Sequence, residues 1–529
     1  MGKDLRTTAV QMKLHRVKKV NMDAWGLRDA QSFFPPLEML FKTDALSSVE
    51  SYGIHVSEGI ESVLDASRIR TTTGRTVPVH RKTTMILSPF KTMRGDYGHP
   101  SLPKPSEVAE EIRTRTQSPH TAAYVGALAS VALSESGCDH FPKVFGVSIG
   151  IAETHTIDVS DDYADLTERG WFADAIGKTF DLKLRSTEGD AEFTHTRRQR
   201  PMLELGDEIE LGDVSDVEAE HVSTPSATSS VGDMTETMYP EEESCSDSSG
   251  SCDVYEIESC DCPDDDEDDE DVEEEDEEPF AWATFRGVPV VSTAMEVCEG
   301  TFYDLIEKDL DPEKHVAWVS QMVFALAYAQ RNYGFTHNDL HGNNVMYVKT
   351  EKEFLYYRHN GVVYRVPTFG CLIKIIDFDR AITSVRLNGM KEGRLFASSQ
   401  FEEEEEAGGQ YNMDPFMNRE KPYVGPNASF DLCRFATSVF WDMFPDGPDI
   451  PTNHPLLETF KQWMTFADGT SAMFRKQRDN HDRYHGFDLY KAIARYCKDS
   501  AVPRREIPKL KHYVISALPL GESCLFIES

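Results

Sequence analysis

The stretch from Pro201 to Phe280 holds 32 Asp and Glu and no Lys or Arg, and it closes on the run Asp264–Glu278, broken only by Val272. Like charges repel there, and few side chains are apolar. Burial cannot offset the entropy of ordering such a chain, so the stretch is expected to be disordered. It splits the molecule into an earlier and a later part. It also carries most of the charge: of the net −37, this stretch supplies −32, which leaves −5 for everything else. It would repel phosphates, so no nucleic-acid contact is expected through it, and a basic protein is the partner it suits.

The remaining sequence is that of a globular protein. A length of 529 residues allows two to four domains, or one large domain with insertions, and a hydrophobic fraction of 40% is enough for a core. Four of the ten Cys (Cys245, Cys252, Cys260 and Cys262) sit in the acidic stretch without the paired C-x-x-C intervals of a zinc site. The others are scattered among apolar residues, as reduced thiols are. No apolar run reaches the length of about 18 residues that a membrane span needs. The basic N-terminus lacks the apolar core of a signal peptide, and Arg6 stands where a myristoylation motif wants Ser or Thr.

Periodicity predicts the elements. Ser47 to Leu87 alternates β-branched and polar residues in strand fashion, and Glu107 to about Ser136 reads as one or two helices after an N-cap at Ser106. Phe141–Gly150 and Val288–Val297 are strand candidates. Helices are expected over Tyr303–Asp309, Pro312–Asn332, Phe430–Met443, Pro455–Phe466 and Leu489–Cys497. Asn360-Gly361, between two strand-like runs, is the strongest hairpin signal, and Cys371–Phe378 is a buried strand. The order is α+β: strands and a helix first, helices later.

Chemistry-bearing residues cluster in the later part. Asp339 and Asn344 lie five residues apart in one tight loop, His337-Asn338-Asp339-Leu340-His341-Gly342-Asn343-Asn344, and Asp377 ends an apolar strand. A carboxylate that accepts a hydroxyl proton, with a carboxylate and an amide oxygen for Mg²⁺, is what phosphoryl transfer from ATP requires. The pattern H-x-D-x-x-x-x-N followed by strand-Asp-Phe resembles the catalytic and metal-binding loops of protein kinases. With Ser429-Phe430-Asp431-Leu432, it is similar to the serine/threonine kinases of large DNA viruses of the iridovirus and giant-virus type. The resemblance covers about 45–150 and 280–500, not the acidic stretch.

That resemblance implies a bilobal protein-kinase-like fold with a strand-rich N-lobe, a helical C-lobe and a disordered acidic insertion in the N-lobe. Residues 1–44 would be an extension, 45–150 the first part of the N-lobe, and 151–279 the insertion, largely disordered from about 201. Residues 280–300 would be the last N-lobe strand and hinge, 301–515 the C-lobe and 516–529 a tail. Asp339 would be the catalytic base, His341 a phosphate contact, and Asn344 and Asp377 the ligands of Mg²⁺ or Mn²⁺. Lys82 would orient ATP, with Lys91 its rival. Glu111, or its neighbours Glu107 and Glu110, would pair with that Lys. Gly59 would approach the phosphates, although a plain hairpin serves Tyr52–Val63 as well. Backbone groups from Glu296 to Cys298 would meet adenine. The implied acceptors are viral or host proteins, in the host cytoplasm or the virion.

Three positions depart from the family pattern. Asp379 stands where kinases have Gly. Asn338 replaces the Arg that would receive a phosphorylated loop, so constitutive or partner-controlled activity is expected. His341 stands where protein kinases place Lys and resembles small-molecule kinases of the aminoglycoside and choline type. The absence of a G-x-G-x-x-G motif leaves a pseudokinase scaffold as a further alternative.

Overall fold

A computed structural model describes residues 11–12, 14–16, 20–31, 52–97, 118, 120–185, 280–387, 393–448, 453–474, 483–484 and 486–527. The acidic stretch, Glu107, Glu110 and Glu111 lie outside these residues. The described chain is a mixed α+β structure of mostly antiparallel sheets with helices concentrated after residue 300.

The earlier strands are β1 (Leu27–Gln31), β2 (Ile60–Val63), β3 (Arg68–Thr71), β4 (Thr76–Pro78), β5 (His80–Met85), β6 (Val144–Asp158), β7 (Asp181–Arg185) and β8 (Phe280–Met295). The long β8 is the spine. It pairs with β6 along one edge, and with β7 and β5 along the other, all antiparallel. Its run of Val and Ala, buried on both faces, is why the strand is central. β2, β3 and β4 form a separate three-stranded meander leading into β5.

Two boundaries shift from expectation. Strand β1 pairs with β6, so residues counted as an N-terminal extension join the main sheet. Residues 151–185, assigned to the insertion, instead finish β6, form short helices and supply β7. Arg185 and Phe280 are register partners, so residues 186–279 depart from and return to the tip of one hairpin.

Helix α1 (Ala122–Ser134) packs against β6 and β8, its Ala-rich faces buried all round. The helix that carries the later half is α2 (Pro312–Tyr333). Asp311 caps its start by accepting from Glu313 N, Pro312 occupies the first turn, and Gly334 ends it in the left-handed conformation at φ 56°. Phe324 from α2 stacks on Tyr357 at 4.0 Å between ring centroids. Both rings are fully buried, worth roughly 1.5–3 kcal/mol each. The predicted hairpin forms at Asn360-Gly361, where both residues take positive φ, 48° and 79°. Helix α3 (Phe430–Met443) matches its expected bounds, and α4 (Asp488–Tyr496) comes within a residue. The expected tail is not free: Leu525–Ile527 pairs with Phe354–His359.

Candidate active site

The loop from His337 to Asn344 follows α2 and is held from beneath. Thr336 bonds Ile382 in both directions, at 3.0 and 2.9 Å. The fully buried Asp431, on the first turn of α3, accepts His337 N at 3.0 Å and Asn338 N at 3.0 Å. Burial pushes the Asp431 carboxyl up, and the bonds from the His337 and Asn338 N–H groups only partly offset it. Asp339 N donates to His337 Nδ1, so His337 Nε2 carries the proton that goes to Ile376 O at 2.7 Å. The two halves of the site are thereby tied together, and Ile376 N donates to Asn344 O at 3.0 Å.

Two residues here hold left-handed backbone: Asn338 at φ 67° and Asp377 at φ 65°. Such geometry costs on the order of 1–3 kcal/mol for a non-glycine residue and persists where surrounding bonds fix it. Asn338 is fully buried; its amide donates to Arg380 O at 3.0 Å and accepts from Tyr411 Oη at 2.6 Å. The position expected to lack a phosphate partner is thus occupied by bonds to the segment downstream.

Asp339 accepts from Tyr490 Oη at 2.6 Å and lies 3.5 Å from Arg380 Nη1. Burial would raise its carboxyl, but Arg380, His341, Arg434 and the Tyr490 bond outweigh it and hold the group well below the usual range. Asn344 Nδ2 donates to Asp339 O at 2.9 Å and to His341 Nε2 at 3.1 Å. His341 therefore steadies the Asn344 amide, a contact its sequence position did not imply. The amide nitrogen is engaged on both sides, so the oxygen is the atom of Asn344 that suits a cation.

Lys82, on β5, reaches across to the strand-end carboxylates. Its Nζ is 2.6 Å from Asp377 Oδ1 and 2.8 Å from Asp379 Oδ2. Burial would lower the ammonium, but the two carboxylates more than compensate and raise it. Lys82 also pulls Asp377 down despite burial, whereas burial and the Asp377 charge leave Asp379 raised. Lys91 is not in this group; it pairs with Glu405 at 2.9 Å. A cavity of about 550 Å³ opens beside the pair, lined by Lys82, Thr84, Asp377, Asp379, Ala122 and Glu406 among others.

Other expected residues lie elsewhere. Gly59 donates to Thr72 Oγ1 and does not line the cavity. Tyr52–Val63 is not a hairpin: Tyr52–Ile54 pairs with Leu14–Arg16, and β2 pairs with β3. The β2–β3 turn holds no glycine, and its Ser67 O accepts from Val79 N, three residues short of Lys82. Glu296 N–H is spent on Lys143 O at 2.8 Å, and its carboxylate takes Lys374 at 2.9 Å. The half-buried Cys298 thiol is pushed up to about 11 by burial, so it stays a neutral thiol.

No protein-family model matches this chain, and no curated protein matches it. The site's own chemistry therefore carries the functional reading.

Among the described residues no three His, Cys, Asp or Glu side chains are gathered to hold a metal, and no helix is long and apolar enough to cross a membrane. The donor set nevertheless fits Mg²⁺. That ion keeps several waters and takes one or two carboxylates plus substrate phosphates, and Asn344 and Asp377 are hard oxygen donors tied to one another through Ile376. Tyr490, Arg380 and Asp379 are the site residues that sequence reasoning did not assign. Tyr490 carries no local signal, because it comes from a helix about 150 residues on.

Proposed function

We propose that this chain transfers the terminal phosphoryl group of ATP to Ser or Thr hydroxyls of proteins, viral or host, within a bilobal protein-kinase-like fold. The observation that carries the reading is the single bonded network joining Asp339, Asn344, Asp377 and Lys82. Asp339 is ionised at neutral pH and so is able to accept a hydroxyl proton. Lys82 offers a fixed ammonium for phosphate oxygens. Asn344 and Asp377 would hold Mg²⁺ or Mn²⁺, which supplies charge neutralisation on the phosphates when bound. Asp431 keeps the loop rigid from behind, so that these groups are set before substrate arrives.

Incubation of the purified full chain with radiolabelled ATP, peptides and basic proteins tests the proposal. Transfer should occur with the wild type and be lost in Asp339→Asn and Asp377→Asn. Wild-type transfer that survives both changes would remove the site assignment. A small-molecule phosphotransferase is the second reading, favoured by His341. Small alcohols and aminoglycosides in the same assay separate the two by which acceptor takes the label.

A further inference from the structure

The Lys82 ammonium faces two carboxylates, and they do not have the same surroundings. Asp377 is the outer one: its side chain is 43% exposed, against 16% for Asp379. Asp379 is locked in place. It accepts from Thr84 Oγ1 at 2.9 Å, two residues along β5 from Lys82, while its own N–H points to Asp377 Oδ1 at 3.5 Å. On its far side lies α1, which presents Gly126 to it. A Cβ on Gly126 would overlap Asp379 Oδ1, and Asp379 Cα is only 3.2 Å from that Cβ position. The glycine is in ordinary helical backbone, where glycine costs about 1 kcal/mol relative to alanine, so its value is the room it leaves. Helix α1 contributes no acid to this contact; its sequence is AAYVGALASVALS. The carboxylate that fixes Lys82 from the inner side comes from the strand-end loop, with space cleared for it in the helix.

We propose that Asp379 is the permanent positioning partner of Lys82, which releases Asp377 to serve a cation. This rests on the phosphotransferase reading. With Asp379, itself held by Thr84 Oγ1, keeping the ammonium paired, Asp377 is able to turn from Lys82 without leaving that charge unpaired in a buried place, a loss that is costly when only one partner exists. The same arrangement gives Lys82 an inner carboxylate without an acid from α1. It also gives a reason for Asp at position 379: a glycine there would leave Lys82 one partner for two tasks.

The test uses the full chain with mant-ATP and Mg²⁺ as the probe, and two readouts. The first is the dissociation constant by fluorescence titration. The second is acetylation of Lys82 by acetic anhydride in nucleotide-free protein, quantified by mass spectrometry. Asp379→Gly should weaken binding by about ten- to hundredfold, the worth of a charge-assisted hydrogen bond, and should increase Lys82 acetylation. Adding Gly126→Asp to Asp379→Gly returns a carboxylate from the helix side and should recover most of both readouts, which a variant that merely failed to fold would not do. Asp377→Asn should weaken binding but leave Lys82 protected. Binding by Asp379→Gly within twofold of wild type, or Lys82 exposed by Asp377→Asn and not by Asp379→Gly, would overturn the proposal. Should wild type bind no mant-ATP, the phosphotransferase reading falls, and the acetylation readout alone still decides whether Asp379 holds Lys82.

Discussion

The hydroxyl of Tyr490 donates to Asp339 Oδ1 at 2.6 Å, so the carboxylate that would receive a substrate proton already carries a bond from α4. The Tyr490 ring is itself held, with the Arg434 guanidinium 4.8 Å from its centroid. An incoming hydroxyl must share this carboxylate with Tyr490. Tyr490→Phe keeps the ring and removes the competitor. It is expected to lower the acceptor KM by about tenfold, the worth of a hydrogen bond to a charged group, with unfolding temperature little changed. Steady-state kinetics over acceptor concentration check this; a raised KM would show that Tyr490 assists substrate instead.

Lys82 and Lys91 are separated by their partners. Lys82 faces Asp377 and Asp379, whereas Lys91 faces Glu405. Lys82→Met should reduce phosphoryl transfer by about a hundredfold or more, while Lys91→Met should stay within about threefold. Equal losses in the two variants would contradict the assignment of Lys82.

Asp431 is fully buried and accepts two backbone N–H groups. Asp431→Ala would leave both without a partner and should cost about 2–4 kcal/mol of stability, measured by urea unfolding. A loss below about 1 kcal/mol would mean that the loop finds other acceptors.

Acid should weaken the earlier half of the molecule through Glu58. Arg75, Lys143 and Thr73 donate to its carboxyl and outweigh burial, which holds it far below its ordinary value of 4.5. The folded protein then binds fewer protons than the unfolded chain, so the stabilisation is present above pH 4.5 and is lost as pH falls below it. Glu58→Gln should be less stable than wild type at neutral pH and should show a flatter decline below pH 4.5. Thermal unfolding across pH 2–7 reads both.

The pairing of Arg185 with Phe280 predicts the outcome of removing residues 186–279. Joining the two strands through Asn-Gly should preserve the fold and raise stability by up to about 3 kcal/mol, because loop closure becomes less costly. A fall in unfolding temperature would mean that the removed residues contribute to the folded body.

Local signals in the sequence determined the elements. Asp311, Pro312 and Gly334 bound α2 through backbone chemistry that acts within a few residues, and Asn360-Gly361 fixes a hairpin for the same reason. The loop His337–Asn344 and the strand before Asp377 were legible because their residues sit close together in the chain, although the strand expected over Cys371–Phe378 ends at Ile375 and Asp377 follows it in left-handed backbone. Lys82 was preferred to its rival Lys91 on strand placement alone, since strand periodicity places a side chain on a face but does not say what that face meets. Only the tertiary structure decided the partners. It brought Tyr490 to Asp339, set Gly126 against Asp379, and joined β7 to β8 across 94 intervening residues. Such contacts depend on how side chains fill shared space, and the pattern along the chain carries no record of that distance. The sequence by itself supplied the groups on which the proposed chemistry rests; packing decided that Asp379 stands beside Asp377 against Lys82.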